Sequence, residues 1–436
     1  MRDPLQQELV KTFDFLSGKK LLVAVSGGID SMVLADLCLR TGLTPSLAHC
    51  NFQLRGEEST GDEAFIRKFA QNAGLTVFVT TLDTVQFAAD FGLSTQMAAR
   101  ELRYRWFDEL ARTHGFDHIL TAHHADDNLE TFLINLSRGT GIDGLVGIPR
   151  SNGKILRPLL DVPQSEIRAY AERHGIGWRE DSSNASDKYL RNKIRHNVVP
   201  ALKSINPDWL GSFAKMQQHL RQTQSMAGDA AVLIYQQVAQ QVGDEIHFNI
   251  GKLKKLPNYD AYLFYWLREW GFKAWDDLSG LADGPSGKQI LAPAHRLVKS
   301  RDFLILSPLT AADSGHYEIS SAQKDVNFPI KLSISDADSI RDVSNNVIFV
   351  DARKLKFPLV LRRPLPGDAF HPIGMGGQSK KVSKFFKDEK VSLPQRERTW
   401  LLCSDADIVW VVGHRADERF KVEPTTKQIT KITLTQ

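Results

Sequence analysis

Short apolar runs alternate with amphipathic stretches along the first part of the chain. LLVAVS, LTPSLAHCNF, LTVFVTTL and HILTAHH have the length and apolar character of strands. Between them, MVLADLCLR, DEAFIRKFAQNAG and STQMAARELRYRWFDELARTHG read as helices. In the last of these Met97, Leu102, Trp106, Phe107 and Leu110 return at helical spacing. Alternating strands and helices predict an α/β domain over residues 1–205, with a parallel sheet covered by helices. Residues 206–308 are largely helical in pattern, as in SFAKMQQHLRQTQSMAGDAAVLIYQQVAQQ, and Trp266, Trp270 and Trp275 are read there as core. Residues 309–345 are expected to be a connector with short strand-like runs. Residues 346–436 predict a small C-terminal α/β domain: NVIFVDARKL, FPLVLRRPLPGDAF and DIVWVVGHR have strand character, LPGD marks a turn, and VSKFFKDE reads as a short basic helix.

Composition narrows the class. A chain of 436 residues with 42% hydrophobic and 24% charged residues supports packed cores in two or three domains, which excludes a disordered chain. No apolar run reaches membrane-spanning length, and MRDPLQQELVKTF lacks an apolar signal core. Cys38, Cys50 and Cys403 are odd in number and far apart, so they form neither a disulfide framework nor a paired metal site; a reducing cytoplasm fits best. The net charge of +4 describes an ordinary solvated surface. Two stretches are locally basic: Ser379–Lys390, with five lysines, two acids and a Phe-Phe pair, and Lys188–His196. Each reads alone as a solvated face, and each has the composition of a phosphate-binding patch.

The chemistry starts in LLVAVSGGIDS. A strand breaks into a Ser-Gly-Gly-x-Asp-Ser turn that opens a helix. Small residues let backbone N–H groups approach a phosphate, and the helix N-terminus favours the anion. The lysine of a Walker A loop is missing. Ser26, Gly27, Gly28, Ile29, Asp30 and Ser31 are therefore the expected phosphate cradle, with Asp30 holding Mg²⁺ that bridges the phosphates. In TAHHADDNLET, His123, Asp127 and Glu130 fall at i, i+4 and i+7 and share a helix face. Two carboxylates there suit an ammonium group or a metal; the plainer reading is a helix cap with an acidic first turn, and Asp126 fits that reading. In AARELRYRWF, Arg100 and Arg103 share a face, and one of them is expected on the α-phosphate. In KYLRNKIRH, Arg191 and Arg195 lie four residues apart; the plain reading is a basic surface helix ended at Pro200.

The SGGIDS turn resembles the pyrophosphate loop of the PP-loop ATP pyrophosphatases, which split ATP into AMP and pyrophosphate. SGGIDS, LRGEE, ARELRY, AHHADDNLET, SRGTGIDGLVGI, RPLL, WREDSSN and YLRNKIRHNVVP together resemble the core of the tRNA(Ile)-lysidine synthetase family. GDAFHPIGM, KKVSKFFKDEKV and IVWVVGHRADERFKV are similar to its C-terminal domain. The resemblance implies a ligase. ATP adenylates the ring carbonyl oxygen of the wobble cytidine in the CAU anticodon of a minor isoleucine tRNA; the ε-amine of free L-lysine then attacks the ring carbon and expels AMP. It further implies that Asp127 and Glu130 bind the lysine, that Arg195 pairs with its carboxylate or helps close the site, and that His123 works with Asp30 near the phosphates. Catalytic roles are expected of Asp30, His123, Asp127 and Arg103, and ATP contacts of Arg100 or Arg103. Lys380, Lys381, Lys384 and Arg191 are expected on the tRNA. The oligomeric state stays open between monomer and homodimer. One departure stands out: where the family often reads H-x-N-H, this chain has His49-Cys50-Asn51-Phe52. The nearest alternative is another PP-loop tRNA-modifying enzyme, such as a thiolase; a non-enzymatic RNA-binding module is the other class.

Overall fold

Leu21–Ala24 (β1) is buried on both faces. Leu21 and Val23 pack into one apolar cluster with Leu34, Leu37 and Tyr170, and Leu22 packs into a second with Phe107, Phe116 and Ile119. That alternation makes β1 the centre of a sheet between two helical layers. The computed structural model describes residues 3–54, 56–180, 190–309 and 315–435, which fall into two compact units, 1–228 and 229–436.

In the first unit, β2 (Ser46–Asn51), β3 (Val77–Thr81), β4 (His118–Leu120), β5 (Ser151–Asn152) and β6 (Ile155–Leu156) join β1 in the order β3-β2-β1-β4-β6-β5. All neighbours are parallel except the short edge strand β5. The helices are α1 (Pro4–Thr12), α2 (Ile29–Arg40), α3 (Glu57–Ala73), α4 (Thr84–Phe91), α5 (Thr95–His114), α6 (Ala125–Ser137), α7 (Ile142–Leu145) and α8 (Gln164–His174). The chain leaves β1 toward β2 on one side, and α5 later returns it to β4 on the other. The carboxyl ends of β1 and β4 thus flank the point where the strand order reverses, the place where open α/β sheets bind ligands. A helical stretch follows: α9 (Leu190–Lys193), a π-helical turn at Ile194–Val198, and α10 (Val199–Ile205), ahead of the long α11 (Trp209–Val238). Leu129, Ile194, Val199 and Phe213 form the apolar cluster that seats this stretch on α6.

In the second unit, the stretch read as helical holds more than helices. Ala239–Val242, Glu245–Asn249, Gln289–Leu291, His295–Ser300 and Phe303–Pro308 form a five-stranded antiparallel sheet. Trp266 stacks on Phe248 with ring centroids 5.6 Å apart and, with Trp275, packs against that core. Trp270 is 36% exposed, at the edge of His295, so it is not a core residue. The expected connector is not a linker: Tyr317–Ile319, Asp325–Val326 and Lys331–Ala337 are strands, and the last pairs along its whole length with Ile429–Thr435. Val382–Asp388 is the expected short helix, and its Phe385 and Phe386 are buried. Among the described residues no helix is long and apolar enough to cross a membrane.

Candidate active site

The turn after β1 is built to leave donors free. Gly27 sits at φ 87°, a conformation that L side chains rarely adopt. Gly28 caps α2 with no side-chain cap hydrogen bond, so no capping side chain occupies the opening N–H groups. The hydroxyls hold the loop closed. Ser31 Oγ donates to Gly28 O at 2.9 Å and accepts from Ser26 N at 3.1 Å. Ile29 opens the helix and is buried in the core behind the loop. Ser26, Asp30 and Ser31 line a cavity of about 340 Å³ together with Ala48, His49, Phe52 and others.

Asp30 points into this region with one oxygen unused: its Oδ1 is buried and has no hydrogen-bond partner among the described residues. Burial pushes the Asp30 carboxyl above its ordinary value; His124 opposes the shift and Asp127 adds to it. A lone free carboxylate oxygen beside a phosphate loop suits a Mg²⁺ ion, which takes one or two carboxylates plus substrate phosphates.

The segment after β4 enters from the other side of the switch point. His124 caps α6: its Nδ1 accepts from Asp127 N at 3.4 Å, and Asp127 Oδ2 accepts from His124 N at 3.2 Å. His124, not His123, faces Asp30, with Nε2 3.7 Å from Asp30 Oδ2 and 3.5 Å from Asp127 Oδ2. It is 2% exposed. The expected partnership of His123 with Asp30 is therefore displaced by one residue. The cap turns the second histidine inward and leaves the first on the cavity wall, where its Nδ1 lies 3.0 Å from Thr121 Oγ1. Burial drives the His123 imidazole down to about 4, against the pull of Asp127. Asp126 does more than cap, since Gln164 N donates to it at 2.8 Å and Lys203 pairs with it.

Asp127 and Glu130 share their helix face, and two arginines meet them. Arg195 donates from Nε and Nη2 to both oxygens of Glu130, at 2.5 and 3.0 Å. Arg191 donates from Nε to Glu130 Oε2 at 2.7 Å, and the Nη2 of each arginine lies 3.4 Å from Asp127 Oδ1. The π-helical turn carries Arg195, and such turns recur at functional sites. Burial alone would raise the Asp127 carboxyl, but His124 and Arg191 outweigh it and hold it below its ordinary range. Arg191 was expected on the tRNA; it lies on the cavity wall instead, paired with the acids. The segment WREDSSN and the start of YLRNKIRH run into residues 181–189, outside the described residues.

Of the two arginines expected near the α-phosphate, only Arg103 reaches the cavity. Its guanidinium lies 5.2 Å from the centre of the Phe52 ring, so the residue that breaks the H-x-N-H pattern is a cation–π partner here. Arg100 lies over Tyr104 at 4.8 Å and lines a separate groove. Two histidines escaped assignment from sequence. His124 was hidden by its neighbour; His49 bonds Val25 O through Nδ1 at 2.9 Å and leaves a buried Nε2 on the cavity wall. In the second unit, Lys381 and Lys384 are exposed, whereas Lys380 pairs with Asp388 at 2.8 Å and its side chain is 15% exposed. Cys50, on the cavity wall, is a neutral thiol pushed to about 12 by burial, as is buried Cys38.

Known proteins match most of this chain. Residues 1–202 match a family model described as a PP-loop domain, 240–309 a TilS substrate binding domain, and 359–433 a TilS substrate C-terminal domain. The tRNA(Ile)-lysidine synthase of Parabacteroides distasonis is 40% identical over 423 residues, covering 94% of each chain. That of Bacteroides thetaiotaomicron is 37% identical, covering 98% of each. That of Bacillus subtilis is 30% identical, covering 91% of this chain and 90% of its own. A U34-tRNA thiolase from Methanococcus maripaludis with its [4Fe-4S] cluster overlaps 50% of this chain and 78% of its own at 18% identity and a TM-score of 0.43, too distant to carry the thiolase alternative. With relatives at this identity over nearly its full length, the chain belongs to the tRNA(Ile)-lysidine synthase family of ATP-using PP-loop enzymes.

Proposed function

We propose that this chain forms lysidine in the CAU anticodon of isoleucine tRNA, with its residues divided between the two walls of one cavity. The loop Ser26–Ser31 cradles the β- and γ-phosphates of ATP on the N-terminus of α2. Arg103 takes the α-phosphate. Asp30 would hold Mg²⁺ through its free oxygen, and the ion supplies neutralisation of the departing pyrophosphate. The cytosine carbonyl oxygen attacks the α-phosphorus, and the bond to pyrophosphate breaks. The lysine amine then attacks the ring carbon, loses a proton, and the carbon–oxygen bond breaks to free AMP.

Asp127 and Glu130 receive the lysine ammonium. They now hold two guanidinium groups, so an incoming ammonium replaces one cation by another. Arg195 is then released toward the lysine carboxylate, and the charge of the cluster is conserved. His123, neutral at physiological pH, lines the wall without adding a further positive charge. Lys381 and Lys384 contact the tRNA backbone from the second unit.

The observation that carries this reading is that Asp30 of the phosphate loop and Asp127 of the acidic pair line the same cavity. The protonated thiols of buried Cys38 and half-buried Cys50 support it over sulfur transfer, which needs a thiolate or a cluster. The test is mass analysis of CAU-anticodon tRNA after incubation with ATP and isotopically labelled lysine. One lysine per tRNA, with pyrophosphate release that needs both lysine and tRNA, is expected. Unlabelled tRNA, or release that needs a sulfur donor, overturns the reading.

A further inference from the structure

A second concavity, of about 430 Å³, lies between α4 and α5. Its walls are aromatic, and its flank is cationic. Phe91 is 59% exposed and Met97 58% exposed, an unusual display for side chains of this size at the end and start of neighbouring helices. Phe87 and Phe91 lie with ring centroids 4.5 Å apart. The Arg105 guanidinium is 5.2 Å from the Phe87 ring and Arg100 is 4.8 Å from the Tyr104 ring. Only Glu101 among the groove residues is acidic, and Arg105 pairs with it, which leaves Arg100 as an exposed cation. Tyr104 lines both this groove and the cavity described above, so the two lie side by side.

We infer that this groove is a stacking platform for an unpaired nucleotide next to the wobble cytidine of the tRNA. The inference rests on the tRNA reading above and extends it to the positioning of the anticodon loop. A cytidine delivered into the cavity must leave its loop stack, and its neighbours then lose a stacking partner. The groove offers a replacement: the exposed Phe91 ring for the base, and Arg100 for the phosphate or for stacking on its planar guanidinium. A protein partner would call for a broad apolar centre ringed by polar groups, which eight lining residues do not make. An aromatic floor beside an arginine with no ion pair among the described residues matches the chemistry of single-stranded RNA.

The test uses full-length protein and CAU-anticodon tRNA carrying 2-aminopurine at each position flanking the wobble base in turn. Its fluorescence reports stacking directly. Wild-type protein is expected to change the signal at one of the two positions. Phe91→Leu keeps apolar volume and removes the ring, so the change should vanish and tRNA affinity should fall roughly tenfold. Phe91→Trp should restore both. Arg100→Gln leaves the Phe87–Phe91 pair in place and should weaken tRNA binding severalfold, which separates loss of the groove from loss of the fold. ATP affinity, measured without tRNA, should be unchanged in both the leucine and glutamine variants. Silent probes at both positions, wild-type tRNA affinity in the two variants, or a loss of ATP affinity in their place would each overturn the inference. If wild-type protein makes no lysidine, the functional reading fails; if it does and the variants match it, this inference alone fails.

Discussion

The two walls of the catalytic cavity treat their carboxylates in opposite ways. On the phosphate-loop wall, Asp30 has an unused oxygen and is pushed toward its neutral form by burial. Behind the opposite wall, which Asp127 and Arg191 line, Glu130 is 1% exposed and both its oxygens are taken by Arg191 and Arg195. A desolvated carboxylate with an unused oxygen is held against its preference; one bonded by two guanidinium groups is satisfied before any ligand arrives. In the proposed reaction the first side would be completed by a cation brought in with the nucleotide, and the second would exchange a cation it already holds.

The sharpest way to break the comparison is Asp30→Asn. It should lower kcat by about a hundredfold or more, as removal of preorganised charge at a reacting centre does. The same variant should melt at a higher temperature at pH 7. The native pKa lies above the ordinary 3.8, so the ionised group opposes folding at neutral pH, and the neutral amide removes that cost. A variant that keeps near-wild-type turnover, or melts lower, contradicts the account of this wall.

Next in size is Glu130→Gln. Two arginines lose their main acceptor, but their side chains are 39% and 29% exposed and can be rehydrated. The expected cost is about 3 kcal/mol, the low end for breaking a buried pair. It would be read by urea denaturation, with a tenfold or larger rise in the lysine KM. Lysine kinetics unchanged at that loss of stability would make the cluster purely structural.

The smallest effect is a titration. His123 should stay neutral down to about pH 4, where its Cε1 chemical shift should move. Its folded pKa lies below the ordinary 6.5, so the unfolded chain takes up the proton first. Its contribution to stability is complete above pH 6.5 and is lost as the pH falls toward 4. Removing this loss with His123→Gln should flatten stability across that window. A midpoint near 6.5 would place His123 in water and remove it from the cavity wall.

Much of the site was legible because it is local. Gly27 and Gly28 follow a strand and precede a helix, and the TAHHADD segment follows another strand of the same sheet; strand order then brings the two together. What escaped was either a matter of phase or of distance. His123 and His124 differ by one position, and only the geometry of the helix cap decides which one turns inward. Arg191 and Glu130 are sixty-one residues apart and meet only because Ile194, Val199 and Phe213 seat one helix on another. The sheet at 239–308 was hidden for a related reason: its strands are short and sit among strongly helical neighbours, so period-two alternation has little length in which to register.

The π-helical turn at Ile194–Val198 has a consequence for variation in this chain. An ordinary surface helix shortened by one residue at its frayed end loses little. Here the wider turn absorbs one extra residue between Arg191 and the apolar anchors that follow. Each residue of an α-helix rotates the next by about 100°. Deleting one position inside the turn would carry Arg191 round the axis while Val199 stayed seated, or the reverse. Apart from Arg195 and the anchor Ile194, this stretch should therefore tolerate substitution far better than any change in length.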